Sequence, residues 1–140
     1  MNYQDELNKI MENSTELALA TSVENIPNVR IVNFYYNPRK PGIIYFSTFS
    51  DNDKVKEFAK NPQVTFTTVA SGDNAHVRSN QATICKSELS VFDLKDEFIN
   101  KIPGYDQTIE MVGEMLCLYE IRFKEAAVIV DMENSGIVRF

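Results

Sequence analysis

The organisation of the chain centres on the stretch from Asn28 to Asn61, which reads NVRIVNFYYNPRKPGIIYFSTFSDNDKVKEFAKN. Its first two thirds are dense in β-branched and aromatic residues, which predicts strands over residues 29–36 and 43–48. Between them, residues 37–42 contain two prolines and a glycine, a composition typical of a hairpin turn. The two strands are therefore expected to be antiparallel neighbours.

A short helix is predicted directly after the second strand. Val55, Phe58 and Ala59 fall on one face at helical spacing. Ser50 or Asp51 is the expected N-terminal cap, because short polar side chains accept hydrogen bonds from the first free N–H groups. The stretch thus has the order strand, turn, strand, helix.

Polar residues crowd the turn between the second strand and this helix. They are Thr48, Ser50, Asn52 and Lys54, while Arg30 lies in the first strand. Free N–H groups and the positive end of the helix dipole favour an anion, and a lysine adds a full charge. The turn is therefore a candidate phosphate-binding site.

The remaining chain is predicted to consist mainly of short strands. Helices are expected at 3–13 and 94–102, the second capped by Asp93, and residues 105–114 are ambiguous. The further strands are predicted at 17–23, 63–70, 76–89, 115–123, 126–132 and 137–140, with a turn at 24–28 around Pro27.

The fold class that follows is mainly β, a predominantly antiparallel sheet with peripheral helices. Strands follow strands through short turns, so the sheet is expected to curl into a barrel. A parallel Rossmann layout would need a helix after each strand, and the sequence does not supply them. The length of 140 residues predicts a single domain over residues 1–140.

Composition excludes several classes of function. The net charge of −6 argues against a nucleic-acid binder, and no apolar run approaches the roughly 18 residues of a membrane span. The polar N-terminus MNYQDELNK does not resemble a secretory signal, so a cytoplasmic location is expected. Cys85 and Cys117 form no metal-binding motif, so no metal site is expected, and both are predicted to be buried free thiols.

The order of these segments resembles the pyridoxamine 5′-phosphate oxidase-like family, the FMN-binding split β-barrels. The resemblance covers at least residues 3–89, and its most specific part is the spacing from Arg30 through Phe46-Ser47-Thr48 to Lys54 and Asn61-Pro62. It implies a split β-barrel that forms a homodimer, with FMN at the interface between the two copies.

The resemblance also implies roles for individual residues. Arg30 and Lys54 would bind the FMN phosphate, Thr48 and Asn52 would help to hold it, and His76 would reach the flavin of the neighbouring subunit. The backbone near Val32 and Asn33 would lie beside the isoalloxazine ring. The expected cofactor-binding set is Arg30, Val32, Asn33, Ser47, Thr48, Asn52, Lys54 and His76.

The chain departs from the true oxidases of this family at three places. Asp53 stands where they often carry an arginine, Tyr35 stands where they carry a substrate-binding lysine, and a C-terminal Arg-x-His signature is missing. Oxidation of pyridoxine phosphate is therefore not expected.

The expected function is that of an FMN flavoprotein, an oxidoreductase that uses NAD(P)H or another small donor. The flavin would do the chemistry, so no catalytic residue is assigned. Two alternatives stay open. The first is a non-catalytic binder of flavin, haem or another flat ligand, for storage or sensing. The second is a structural dimer whose pocket has decayed.

Overall fold

Alternating inward apolar and outward polar residues build a mainly β structure, seen in a computed structural model that describes residues 1–140. Four α-helices, a 3₁₀ turn at Gly113–Met115 and nine strands make it up. The helices are α1 (Tyr3–Asn13), α2 (Asp53–Lys60), α3 (Lys95–Lys101) and α4 (Tyr105–Val112). The strands are β1 (Glu16–Val23), β2 (Ile26–Asn33), β3 (Tyr35–Tyr36), β4 (Ile43–Phe49), β5 (Gln63–Thr68), β6 (His76–Lys86), β7 (Leu116–Phe123), β8 (Glu125–Ile129) and β9 (Ser135–Arg139).

The strands form one antiparallel sheet in the order β2-β1-β5-β6-β7-β4-β3, and the β8–β9 hairpin pairs with β6. Only Phe34 separates β2 from β3, so the first and last strands of that order belong to one stretch of chain. The sheet therefore closes on itself as a split β-barrel, which confirms the predicted fold class. The single strand predicted over 29–36 is broken at Phe34, whose side chain is fully buried.

The barrel interior is filled by one cluster of 22 buried residues. Large aromatic side chains dominate it, and Phe46 contacts both Phe58 of α2 and Tyr119 of β7. Leu7 and Met11 of α1 are fully buried in the same cluster. Burial of this area is the main stabilising contribution to the fold, and it anchors both α1 and α2.

A second, smaller cluster lies outside the barrel. Helices α3 and α4, called here the α3–α4 lobe (residues 95–112), pack on the outer face of β4 and β7 through Tyr45 and Leu118. Within the lobe, Phe98 and Tyr105 stack with ring centroids 4.8 Å apart. The lobe thereby brings residues 102–108 beside the end of β4.

The turn around Pro27 is shorter than predicted. β2 begins at Ile26, and the connection from β1 is the two-residue turn Glu24-Asn25, both with positive φ (53° and 65°). Such a turn matches the twist of a tight hairpin. Pro27 lies inside β2, an edge strand that pairs only with β1. Proline lacks a backbone N–H, and an edge strand tolerates it where that N–H would face away from the neighbouring strand.

Both predicted helix caps are wrong. Asn52 caps α2, because its side chain accepts a hydrogen bond from the Lys54 N–H at 3.0 Å. Leu94 precedes α3 without a side-chain cap, and the Asp93 carboxylate instead accepts from the backbone N–H of Ser90 at 2.8 Å. In both places several short polar residues are candidates for the N-cap position, and the path of the backbone determines which of them can accept the hydrogen bond.

The two cysteines differ from the prediction in their burial. Both are free thiols, but Cys85 is exposed and Cys117 is only partly buried. Cys85 points outward from β6 because the alternation of that strand places its neighbour Ile84 in the core.

Candidate functional site

A cavity of about 420 Å³ opens where β2, the end of β4, the start of α2 and the α3–α4 lobe meet. That size lies in the usual range for small-molecule sites, roughly 300–1,000 Å³. Apolar and hydroxyl or amide side chains line it together with one lysine. The lining residues are Ile31, Val32, Asn33, Ser47, Thr48, Phe49, Asn52, Lys54, Ile102, Pro103, Tyr105, Thr108 and Leu116.

The cavity gathers six of the eight residues predicted to bind a cofactor. Val32 and Asn33 come from the end of β2, and Ser47 and Thr48 from β4. Asn52 and Lys54 complete the set from the start of α2. The predicted phosphate-binding turn is thus one side of a cavity.

Lys54 is the charged residue of the cavity lining. Its Nζ donates to Thr48 Oγ1 at 2.8 Å, and no carboxylate pairs with it. Burial lowers the pKa of Lys54, and the nearby Arg30 guanidinium lowers it further. A partly desolvated ammonium beside a hydroxyl and a helix N-terminus is an arrangement suited to an anion.

Arg30 does not line the cavity. Its Nη1 donates to the Leu19 carbonyl at 3.3 Å and to Thr21 Oγ1 at 2.9 Å, and its Nη2 forms a salt bridge with Glu57 of α2. Arg30 therefore lies behind the lysine and ties β1 and β2 to α2.

The α3–α4 lobe contributes residues to the cavity that the sequence analysis did not find. The hydroxyl groups of Tyr105 and Ser47 are hydrogen-bonded to each other, and Thr108 adds a further hydroxyl to the cavity lining. Burial raises the pKa of Tyr105, while the bond to Ser47 lowers it. No local signal marks Tyr105, because 58 residues separate it from Ser47 and the contact depends on how the lobe packs.

His76 lies apart from this cavity. It begins β6 opposite Ile129, and its Nδ1 donates to the Asn74 carbonyl at 2.6 Å. Its predicted contact is with the flavin of a neighbouring subunit, so its role stays a prediction.

A larger groove of about 870 Å³ runs between α1 and α3. Lys101, a partly buried cation of its lining, is already engaged: its Nζ donates to the Met11 carbonyl at 2.9 Å and lies 3.7 Å from the centroid of the Phe34 ring. The groove lining also carries three carboxylates, those of Asp5, Glu12 and Glu97, against two lysines, so it suits an anion less well than the cavity beside Lys54.

The structure holds no group of three or more His, Cys, Asp or Glu side chains arranged to bind a metal ion. None of its helices has both the length and the apolar character needed to cross a membrane.

Comparison with known proteins gives one family and many structural neighbours. The family model described as pyridoxamine 5′-phosphate oxidase-like matches residues 10–135. No curated protein sequence matches the chain.

Three solved structures illustrate the likeness in fold. The heme binding protein from Mycobacterium smegmatis superposes with a TM-score of 0.77 at 13% identity, covering 99% of this chain; this chain spans only 58% of that protein. General Stress Protein 26 from Bacillus anthracis gives a TM-score of 0.73 at 16% identity, with full coverage of both chains. A FAD-binding protein from Mesorhizobium loti gives 0.62 at 13% identity, covering 94% of this chain and 90% of that one.

Proposed function

Because this chain belongs to the pyridoxamine 5′-phosphate oxidase-like family, we propose that it binds FMN in the cavity beside α2 and transfers electrons between small molecules. The observation that carries the proposal is Lys54, a cation without a carboxylate partner, whose Nζ meets Thr48 at the start of a helix and at the edge of a cavity. A phosphate monoester is the anion such a turn suits, since it is compact and strongly charged.

The side chains that line the cavity are of the types that bind a phosphorylated flavin. Lys54, Thr48 and Asn52 would hold the phosphate, and the cavity surface formed by Val32 and Asn33 would lie beside the ring. When bound, the flavin supplies the hydride chemistry. The protein binds and orients it, and the α3–α4 lobe shields one side of the cavity from water.

Pyridoxine phosphate is not the proposed substrate. Tyr35 occupies the position where true oxidases carry a substrate-binding lysine, and here it packs near Phe98 and Tyr45, with ring centroids 6.0 and 6.3 Å away. Asp53, at the position often taken by an arginine, is almost fully exposed beside Lys56. In place of pyridoxine phosphate, the proposed electron donor is NAD(P)H or another small reductant, and the proposed acceptor is a second small molecule.

We also propose that the protein acts as a homodimer in the cytoplasm. β2 leaves Val29 and Ile31 more than half exposed, and Ile31 lines the cavity. A second copy covering this strand would complete the cavity and bury both side chains, and His76 of each copy could then meet the other's ligand. The two free thiols fit a reducing compartment.

The second candidate function is a non-catalytic binder of flavin, haem or another flat ligand. Its support is the structural likeness to a protein named as heme binding. Haem iron is usually ligated by His, Cys, Met or Tyr. Of these, the cavity lining contains only a tyrosine, Tyr105. The geometry therefore favours the flavin.

Titration of the purified protein with FMN, followed by absorbance and flavin fluorescence, tests the binding. We expect Lys54→Ala to weaken FMN binding about tenfold, because a charged hydrogen bond to phosphate is worth roughly 1.5–3 kcal/mol and Lys54 is only partly desolvated, which places it at the lower end of that range. Lys56→Ala is the matched control, since Lys56 lies on the same helix but is largely exposed, and it should leave the affinity unchanged. Absence of FMN binding by the wild type would refute the proposal.

Anaerobic addition of NADH or NADPH to the FMN-loaded protein tests the activity. Bleaching of the flavin absorbance supports an oxidoreductase. Unchanged colour with both donors supports the non-catalytic binder, and a Soret band on addition of haem supports that alternative directly.

A further inference from the structure

Arg30 has its charge compensated inside the protein. Its guanidinium donates to Leu19 and Thr21 and forms a salt bridge with Glu57, and only 17% of its side chain is exposed. The resemblance to the family assigns Arg30 to the phosphate, yet in this chain a carboxylate already holds it.

Glu57 is itself held firmly. Besides the salt bridge to Arg30, its Oε2 accepts from Thr21 Oγ1 at 2.7 Å and its Oε1 accepts from Asn28 Nδ2 at 3.0 Å. These hydrogen bonds, led by that of Asn28, lower the pKa of Glu57. Glu57 is therefore a carboxylate at neutral pH, with three partners that oppose its movement.

The charges around the cavity can be counted from these contacts. Arg30 and Lys54 carry one positive charge each and Glu57 carries one negative charge, which leaves one net positive charge. A phosphate monoester carries about −1.5 to −2 at neutral pH. Lys54 alone lines the cavity among the three, so it is the cation that meets an incoming anion.

We propose that Glu57 is a specificity-determining residue: by holding Arg30 it leaves Lys54 as the single effective cation, so this cavity separates a phosphorylated flavin from an unphosphorylated one only weakly. The proposal rests on the flavin-binding function proposed above. It predicts that riboflavin is also a ligand of this protein and that the phosphate adds to the affinity only the contribution of Lys54, about tenfold.

The test compares the Kd of riboflavin with that of FMN, both measured by flavin fluorescence at low salt. In the wild type we expect a ratio of about ten, the contribution of Lys54 alone. Glu57→Gln keeps the size and hydrogen-bonding capacity of the side chain but removes its charge, so it should release the charge of Arg30. The ratio should then rise at least tenfold through tighter FMN binding, with the Kd of riboflavin unchanged.

Glu88→Gln is the matched control, because it makes the same change of net charge at an exposed position that does not line the cavity. It should leave the ratio as in the wild type. A wild-type ratio of a hundred or more, or a ratio that Glu57→Gln does not alter, would overturn the proposal while leaving the flavin-binding function intact. Failure of the wild type to bind either flavin would instead overturn the proposed function itself.

Lys54→Met provides a second measurement that does not depend on the folding of Glu57→Gln. If Lys54 is the single effective cation, this variant binds FMN and riboflavin with a ratio close to one. A ratio that stays at ten or more in Lys54→Met would show that Arg30 still meets the phosphate, and would refute the role of Glu57.

Discussion

Lys101 is a partly buried side chain whose titration makes the stability of the fold depend on pH. It lies between α1 and α3, against the Phe34 ring and the Met11 carbonyl. Burial lowers the pKa of Lys101 from 10.5 to about 8, and the Glu12 carboxylate partly opposes that shift. Below pH 8 the native protein therefore contains a charged ammonium in a poorly solvated place.

The sign of the pH dependence follows from this shift. Between pH 8 and 10.5 the native lysine is neutral whereas the unfolded chain still binds a proton, so stability rises with pH in that window. We expect the free energy of unfolding of the wild type, relative to Lys101→Met, to rise by about 2 kcal/mol from about pH 7.5 to about pH 10. Urea denaturation of both proteins measures it, and a difference that does not change with pH would contradict the assignment.

The residue scale also shows where prediction from sequence stops. Thr48, Asn52 and Lys54 lie within seven residues, so a strand followed by a helix must bring them together, and they do line one cavity. The role of Arg30 at the phosphate is implied only by the resemblance to the family. Its partner Glu57 is 27 residues away in sequence, and only the packing of α2 against β1 and β2 reveals that pair.

At the scale of elements, α2 depends on the Asn52 cap that positions Lys54. We expect Asn52→Ala to lower the free energy of unfolding by about 1 kcal/mol and to weaken FMN binding, because the first turn of the helix loses its side-chain acceptor. Asn52→Ser should retain most of the stability. Thermal and urea denaturation measure the first effect, and the FMN titration measures the second.

Ser50→Ala is the control for this prediction. Ser50 is exposed and its backbone N–H bonds to Met115, so removal of its hydroxyl should change stability by less than about 0.5 kcal/mol. A loss as large as that of Asn52→Ala would show that the cap is shared between the two residues.

The α3–α4 lobe was the least predictable element pair. α4 falls on residues 105–112, where the sequence pattern was ambiguous, and it presents only Tyr105 and Ile109 as buried residues. A short helix with a narrow apolar face gives little periodic signal. Its place beside β4 is set by the second core cluster, which combines residues from four separate elements.

At the scale of the whole molecule, the exposed apolar side of β2 is the proposed dimer contact. Ile31 is 54% exposed there and also lines the cavity. We expect the wild type to sediment as a dimer and Ile31→Asp to shift it toward the monomer, because a buried charge without a partner is strongly unfavourable. Sedimentation velocity measures the change, and FMN affinity should fall with it if the second copy completes the site.

Met132→Asp is the matched control for the interface. Met132 is fully exposed in the turn between β8 and β9, so the same introduction of charge should leave the sedimentation coefficient unchanged. A wild type that sediments as a monomer at micromolar concentration would contradict the proposed assembly.

The fold class, the order of most elements and the turn that carries Lys54 can all be predicted from the amino-acid order alone. Those features depend on local properties: alternation along a strand, helical spacing, and turn residues such as Pro and Gly. Three features are instead set by the packing of the folded chain: Glu57 pairs with Arg30, Tyr105 of the lobe reaches Ser47, and His76 lies away from the cavity of its own chain. Each of these depends on which residues, tens of positions apart, the closed barrel brings into contact, and no local pattern encodes that choice.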